Sequence, residues 1–421
     1  MRTAVSWSRS WFLLLLAMVV GGYFLVETYP VPTSYGPMIA GDASNAAKPV
    51  APIAAAFAAW HARQLRSYLS DGRSSRNRVH AVSRVLWPIL AVAVTAYVAL
   101  TVALAAASGH SIVVLLGVSA LSVTGLAALT IAAHVILGAA CGYWLPLPVG
   151  AALIGLASYL WLTWPPGLNV TWPRQLTGLA VGCCGIDRVP HTAAQFAALV
   201  TATLWILGAL VLLSRPWRTQ VSAALASVLV ITVGFGSGAV VARSSSASDL
   251  YTLARERPDV TLCQGASPVV CLWPEHADAL PGVQASASAA YRQWQVLEMP
   301  MPERISEFEP ADDPDSVGFR YSASAEPGQV VLNLADIILG AEGVNPQRCI
   351  GGTGEYARTL QRYETIRTWL ALQAGLGGED LARLNVTEES LGEATTQAAL
   401  PQTDQRSWFT QSAQGLADCN I

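Results

Sequence analysis

Few side chains in this 421-residue sequence have the type and spacing that chemistry requires. The most enzyme-like pair is Glu275–His276, but a zinc-binding helix would need a second histidine close by, and the sequence has none there. His134 is the lone titratable group of an apolar segment and fits either a hydrogen-bonded packing residue or a proton carrier. The sequence therefore predicts no catalytic residue, no metal site and no cofactor, and we expect a protein that is not an enzyme.

The chain contains a single lysine, Lys48, which follows Asn45-Ala46-Ala47. A phosphate-binding P-loop needs a lysine directly after its glycines. The chain therefore cannot bind ATP through such a loop. If it drives transport, the energy must come from a partner chain or an ion gradient.

Cysteine placement favours disulfide bonds. Cys141 lies within a long apolar block, whereas six others lie in segments that we predict outside the cell: Cys183, Cys184, Cys263, Cys271, Cys349 and Cys419. An even set in an oxidising compartment predicts bridges, and we expect Cys263–Cys271 and Cys349–Cys419. Six cysteines allow about 15 pairings, and buried free thiols remain the alternative.

Composition predicts the elements that surround these residues. At 52% hydrophobic and 13% charged, the chain is too apolar for an ordinary soluble enzyme. Residues 1–243 hold 14 basic and 4 acidic groups, and residues 244–421 hold the remaining 11 basic and 24 acidic groups. We therefore predict a transmembrane helical domain at 1–243 and a soluble extracytoplasmic domain at 244–421.

Hydropathy predicts the membrane spans. The 89 residues between Arg84 and Arg174 carry no charge, several times the ~20 residues that one crossing needs. We predict a polytopic α-helical membrane protein with about seven transmembrane helices, at 11–26, 37–60, 87–107, 112–134, 146–164, 194–213 and 221–242. The first could instead be a cleaved signal peptide, and the second is the least secure because it contains Asp42 and Lys48.

The link at 135–148 is apolar throughout and predicts a broken helix between the fourth and fifth spans. Non-helical backbone at membrane depth is tolerated where protein or a cavity satisfies it. The link therefore fits either a wall of a substrate path or a buried kink.

Basic residues in short loops predict orientation, because such loops stay in the cytoplasm. The loop after the second span is arginine-rich and contains Arg63, Arg66, Arg73, Arg76, Arg78 and Arg84. Arg2 and Arg9 at the N-terminus and the loop with Arg215 and Arg218 agree. We expect a multi-pass protein of the cell membrane with a cytoplasmic N-terminus, although the loop at 165–193 is mildly basic on the outer side.

The C-terminal domain is predicted to be a small α+β domain. Residues 329–334 are predicted as a strand after the Pro327-Gly328 corner, and 355–374 as a helix with an apolar stripe. Residues 307–315 are acidic and contain prolines, which predicts a solvated loop.

Four stretches resemble membrane subunits of actinobacterial ATP-binding-cassette transporters. They are the alanine-rich run at 51–66, Gly-Tyr-Trp-Leu-Pro at 142–146, the Cys183-Cys184 loop, and Cys-Leu-Trp-Pro-Glu-His at 271–276. The resemblance implies a separate ATPase subunit as partner and residues 63–84 as its docking segment. The alternative is that these arginines serve only as an orientation signal and lipid anchor.

Two classes of function follow. A permease would pair with an ATPase, sit in the lipid bilayer and form a homodimer or heterodimer of permeases, without nucleic acid. A multi-span sensor or interaction protein would instead use its external domain to bind a ligand or an envelope partner. We favour the permease because an anchor needs one span rather than seven.

Overall fold

The chain folds into two compact units, Met1–Arg257 and Pro258–Ile421, in a computed structural model. The structure describes residues 11–12, 14–23, 35–69, 75–108, 111–168, 170–181, 183–214, 220–245, 253–258, 261–299, 301–307, 316–319, 321–322, 326–345 and 353–419.

The first unit is a helical bundle. Its helices are α1 (Leu14–Tyr23), α2 (Gly36–Ala43), α3 (Ala47–Leu69), α4 (Ser75–Ala107), α5 (Val118–Trp144), α6 (Val149–Thr163), α7 (Trp172–Leu176), α8 (Thr192–Ser214) and α9 (Gln220–Ser245). Within the described part, four segments are long and apolar enough to cross a membrane: Leu86–Ala107, Val118–Trp144, Thr192–Leu213 and Ala224–Ser244. They coincide with the third, fourth, sixth and seventh predicted spans.

The other predicted spans take different forms. The segment at 37–60 is divided between α2 and α3 by a 3-10 turn, Ser44–Ala46, in which the backbone stays right-handed. The spans at 11–26 and 146–164 correspond to α1 and α6, and the latter has 15 residues. Helix α6 is shorter than a full crossing by a straight helix, and the described residues of α1 end at Tyr23.

The predicted break after residue 134 is wrong over most of its length. The helix α5 continues to Trp144, and the chain turns only at Leu145–Pro148. Residues 135–144 contain no proline, whereas Pro146 and Pro148 lack the N–H that a helix would use. The predicted start at 112 also shifts, because Ile112–Leu116 forms a 3-10 turn and α5 begins after Gly117.

The helix α3 lies at the centre of the bundle. Its inward positions are small and fully buried: Ala51, Ala54, Ala55, Ala58 and Ala59. Gly138 and Gly142 of α5 lie so close to the main chain of α3 that an added Cβ would overlap Ala55 and Ala59 respectively. Small residues permit this approach between helices, as is typical of membrane bundles.

The pair α2–α3 runs parallel to α5. Gly36, at the start of α2, lies against Val114 and Ala120, while Ala59, just past the midpoint of α3, lies against Gly142. The contacts therefore advance in the same direction along the α2–α3 element and along α5. Residues 36–59 and 118–142 cover the same thickness of the bundle.

The last two helices form an antiparallel hairpin. Gly208 of α8 lies against Ile231 of α9, its carbonyl accepts a 2.8 Å hydrogen bond from Ser227 Oγ, and Gly238 lies against Thr201. After α9 the chain returns as strand β2 (Ala254–Glu256), which pairs antiparallel with β1 (Arg188–Pro190) just before α8. The chain therefore begins and ends this hairpin at the same end of the bundle.

The second unit combines a four-stranded sheet with helices. Its strands are β3 (Leu262–Gln264), β4 (Val269–Leu272), β5 (Arg304–Glu307) and β6 (Ser316–Phe319), in the order β3-β4-β5-β6. The pair β3–β4 is antiparallel, and β4–β5 and β5–β6 are parallel. The helices are α10 (Leu280–Val296), α11 (Pro327–Ala341), α12 (Thr353–Gln373), α13 (Gly378–Arg383), α14 (Glu388–Ala398) and α15 (Gln402–Ala417).

Two tryptophans anchor the core of this unit. Trp294 of α10 and Trp369 of α12 are fully buried, and the indole N–H of Trp294 donates a 2.9 Å hydrogen bond to the carbonyl of Leu370. Trp369 packs against Phe409 of α15 with ring centroids 5.5 Å apart. The helix predicted at 355–374 is confirmed as α12.

The strand predicted at 329–334 is wrong, because these residues lie within α11. Pro327 occupies the first turn of that helix, where its missing N–H costs nothing. The solvated loop predicted at 307–315 is wrong at its first residue. Glu307 ends β5 and is 1% exposed, and residues 308–315 lie outside the described residues.

Candidate functional site

An irregular segment enters the bundle between α7 and β1, at residues 177–187. Gly178 lies against Thr130, at the midpoint of the 27-residue helix α5, and its φ of +71° favours glycine. Thr177, Leu179, Cys183, Cys184 and Ile186 are all at most 5% exposed. Non-helical chain is therefore buried at the level of a helix midpoint.

Polar groups of neighbouring elements hold this segment. Ser44, in the turn between α2 and α3, accepts a 3.1 Å hydrogen bond from the N–H of Ala180. The Arg257 guanidinium donates a 3.2 Å bond to the carbonyl of Ile186 and lies 4.7 Å from the ring centroid of Tyr35. Buried irregular backbone needs such partners, because an unsatisfied amide in an apolar interior is costly.

A small, partly open cavity of about 20 Å³, which has room for about one water molecule, lies beside the irregular segment. Val123 and Leu126 of α5 form one wall. Gly178 of the irregular segment and Gln195 of α8 form two others. Gln195 is oriented by a 2.8 Å hydrogen bond from its Nε2 to the hydroxyl of Ser122. None of the described residues that line the cavity is charged.

The arginine-rich segment joins two helices that continue beyond their apolar parts. Arg63 and Arg66 lie on α3, which extends to Leu69, and Arg76, Arg78 and Arg84 lie on α4, which begins at Ser75. The apolar part of α4 begins only at Leu86. Arg73 lies outside the described residues, and Arg63 is half-buried.

Four of the predicted extracellular cysteines are paired within the described residues. Cys263 and Cys271 lie directly opposite each other on β3 and β4, with Cα atoms 4.0 Å apart and a disulfide between them. Cys183 and Cys184 form a disulfide within the irregular segment. Cys419 is disulfide-bonded, while Cys349 lies outside the described residues, and Cys141 is free.

His134 is buried in the bundle between three helices. Its Nδ1 lies 2.9 Å from Ser158 Oγ of α6, and its ring lies edge-on to Trp205 of α8, with centroids 6.0 Å apart. The ring therefore ties α5 to α6 and α8, in keeping with the packing interpretation.

A second buried histidine lies in the second unit. His276 follows β4, and its Nδ1 lies 2.8 and 3.0 Å from the two carboxylate oxygens of Glu307. The Tyr321 ring lies edge-on to it, with centroids 4.8 Å apart. Burial, and then the charge of Glu307, raise the pKa of the Tyr321 phenol. No group of three or more metal-binding side chains occurs among the described residues.

The family comparison concerns this second unit. Residues 270–419 match the model of a domain of unknown function, DUF7224. The match begins in β4, includes His276 and Glu307, and lies wholly within Pro258–Ile421. Comparison with curated proteins and with solved structures found no match.

Sequence reasoning identified Glu275–His276 but missed Glu307, which is the partner of His276. Thirty-one positions separate the two, and only the parallel register of β4 and β5 brings them together. The sequence at 304–307, Arg-Ile-Ser-Glu, has a single apolar residue and does not alternate, so it carries no strand signal of its own.

Proposed function

We propose that the chain is the membrane subunit of a transporter whose energy comes from a separate ATP-binding-cassette ATPase. The observation that carries the proposal is the helical extension that bears the arginines. Residues 62–69 of α3 and 75–85 of α4 add about 12 and 16 Å of helix beyond the apolar parts, at 1.5 Å per residue. An orientation signal needs only charges in a loop, whereas transmission of motion needs a stiff element.

The extension connects directly to the centre of the bundle. Because α3 is buried against the main chain of α5 at Gly138 and Gly142, a displacement at its cytoplasmic end cannot be absorbed by flexible side chains. The same α2–α3 element holds the irregular segment through Ser44. A push on the arginines would therefore reach the cavity wall through α3 and Ala180.

The irregular segment is the proposed wall of a substrate path, and the cavity beside it must widen beyond the size of one water for a substrate to pass. Irregular chain at the level of a helix midpoint, beside a cavity, is the arrangement in which broken segments line transport sites. The predicted path at 135–148 is replaced by the segment at 177–187. The absence of charged lining residues from the described cavity favours an uncharged, mainly apolar substrate.

Three packing features support the seven-span topology with an external second unit. The α2–α3 element is parallel to α5, as the second and fourth crossings must be. The hairpin α8–α9 returns to the end from which it started, and β1 pairs with β2 there. With an odd number of crossings and a cytoplasmic N-terminus, both of which belong to the proposal, Pro258–Ile421 would lie outside.

The test replaces Arg73, Arg76 and Arg78 with glutamine and leaves Arg63, Arg66 and Arg84 to maintain orientation. We expect normal membrane insertion and at least about tenfold weaker association with a P-loop ATPase, since loss of about 1.4 kcal/mol over three charge-assisted contacts changes an equilibrium tenfold. Copurification of the tagged chain from its native membrane, with mass spectrometry of the bound proteins, measures the association with the ATPase.

A matched control replaces Arg255, Arg292 and Arg358 with glutamine. These three arginines are exposed and lie far along the sequence from the extension, so the same loss of charge should leave the ATPase bound. The docking role is refuted if the first variant inserts and retains the ATPase in full. The transporter proposal itself fails if the wild-type chain brings down no P-loop protein.

A further inference from the structure

Three parallel strands of the second unit end at one edge of the sheet. Because β4 pairs parallel with β5, and β5 with β6, their carboxyl ends lie side by side. His276 follows β4, Glu307 is the last residue of β5, and Tyr321 follows β6. The crevice at the carboxyl ends of parallel strands is where sheets of this kind most often bind ligands.

The hydrogen bonds at this edge fix the state of the histidine ring. Glu307 accepts at both oxygens, from His276 Nδ1 and from the backbone N–H of Trp273 at 3.1 Å. A carboxylate accepts at both of its oxygens and has no hydrogen to donate. The proton of a neutral imidazole is therefore on Nδ1, and Nε2 presents a lone pair.

That lone pair has no hydrogen-bond partner among the described residues. His276 is 5% exposed, and its Nε2 is buried. A buried acceptor without a donor is costly, and native proteins retain few of them outside functional sites.

The charge at the site restricts what can bind. A buried carboxylate beside the ring repels anions. A metal ion would need further ligands, and the described residues supply no group of three. What remains is a neutral group with a hydrogen to donate, such as a hydroxyl.

We propose that the carboxyl edge of this sheet is a binding site for a small uncharged, hydroxyl-bearing ligand, which donates a hydrogen bond to Nε2 of His276. Glu307 is a positioning residue that holds the ring in the accepting tautomer. The site belongs to the second unit and does not depend on the transport proposal.

Diethyl pyrocarbonate tests the site in the full-length chain, because it acylates the lone pair of a neutral imidazole. We expect mass spectrometry to find His276 modified. A member of a panel of neutral monosaccharides at millimolar concentration should slow this modification at least about twofold, as half-occupancy of the site requires. Sulfate at the same concentration should leave the rate unchanged.

Two variants separate binding from folding. Glu307→Gln retains the shape, but its carboxamide can donate to Nδ1 as well as accept from it, so the accepting tautomer is no longer fixed and protection by the sugar should fall at least about twofold. His191→Gln, in the first unit, should change neither result. The proposal is overturned if His276 stays unmodified while His191 of the wild type reacts, if no sugar protects it, or if sulfate protects the wild-type ring.

Discussion

Cys263 and Cys271 close a small loop at the edge of the second unit. The strands β3 and β4 place them opposite each other, and their bridge encloses the turn that contains Gly265. Gly265 has a φ of +98°, and an added Cβ would overlap Gln284 of α10. The bridge thus joins the first strand of the sheet to the strand that leads directly to His276.

The first prediction concerns this pair. Replacing both cysteines with serine should lower the free energy of unfolding by about 2–3 kcal/mol, since a loop of this length restricts the unfolded chain by that amount. Thermal unfolding of the protein purified from an oxidising compartment measures it. Cys141→Ser is the control, because that thiol is free and should contribute less than half as much.

Peptide mapping without reductant gives an independent check of the same pair. A linked peptide that contains both Cys263 and Cys271 is expected. Two separately alkylated cysteines would contradict the assignment, whatever the stability of the variant.

At the residue scale, the sequence could supply chemical types but not partners. The pairing of Cys263 with Cys271 was open to prediction because both lie within one short hairpin. Glu307 was not, because its burial depends on the register of strands that lie thirty residues apart in sequence. An acidic residue next to prolines favours a solvated loop until the sheet that covers it is known.

At the element scale, the close contact between α3 and α5 depends on the glycines of α5. Gly142 leaves no room for a side chain against the main chain of Ala59, while Gly125, on the same helix, has nothing within 4 Å. A Gly→Ala substitution can therefore be compared at a position that contacts α3 and at one that does not.

The second prediction is that Gly142→Ala destabilises the bundle by about 1–3 kcal/mol, because the backbones must separate, which outweighs the gain in helix propensity. Gly125→Ala should be neutral or stabilise by up to about 1 kcal/mol. Unfolding of each variant in detergent micelles measures the difference. Equal behaviour of the two would show that α3 and α5 are not packed along this line.

At the element scale, hydropathy predicted α4, α5, α8 and α9 well because long charge-free runs have few alternatives to a helix that spans lipid. It could not predict the 3-10 turn in the second span, since Ser44 in that turn bonds to Ala180 of the irregular segment, 136 positions away in sequence. The failure at 329–334 has another cause. A run of Val-Val-Leu favours a strand locally, and packing of α11 on α12 overrides it.

Orientation belongs to the whole molecule and is the third prediction. A reporter fused after Arg66 or Arg218 should report the cytoplasm, and one fused after Ser246 should report the outside, because basic loops resist translocation. Alkaline phosphatase and a fluorescent protein, which are active on opposite sides, measure it. A cytoplasmic result at Ser246 would overturn the topology and the external position of the second unit.

The division into two units was visible in composition, but its position was not. Charge changes near residue 244, whereas the compact units divide at Arg257. The difference arises because β2 returns to pair with β1, and Arg257 continues this contact through the carbonyl of Asp187. A three-residue strand carries too little pattern to be recognised in sequence.

The β1–β2 pairing also sets an order of events during synthesis. The irregular segment at 177–187 leaves the ribosome before α8 and α9, yet its edge strand finds its partner only in Ala254–Glu256, which follow both helices. The backbone of β1 therefore stays unpaired until the α8–α9 hairpin has been inserted and β2 has been synthesised. The first unit can thus complete its β1–β2 pairing only after translation has passed residue 257. The second unit begins to leave the ribosome at about the same time.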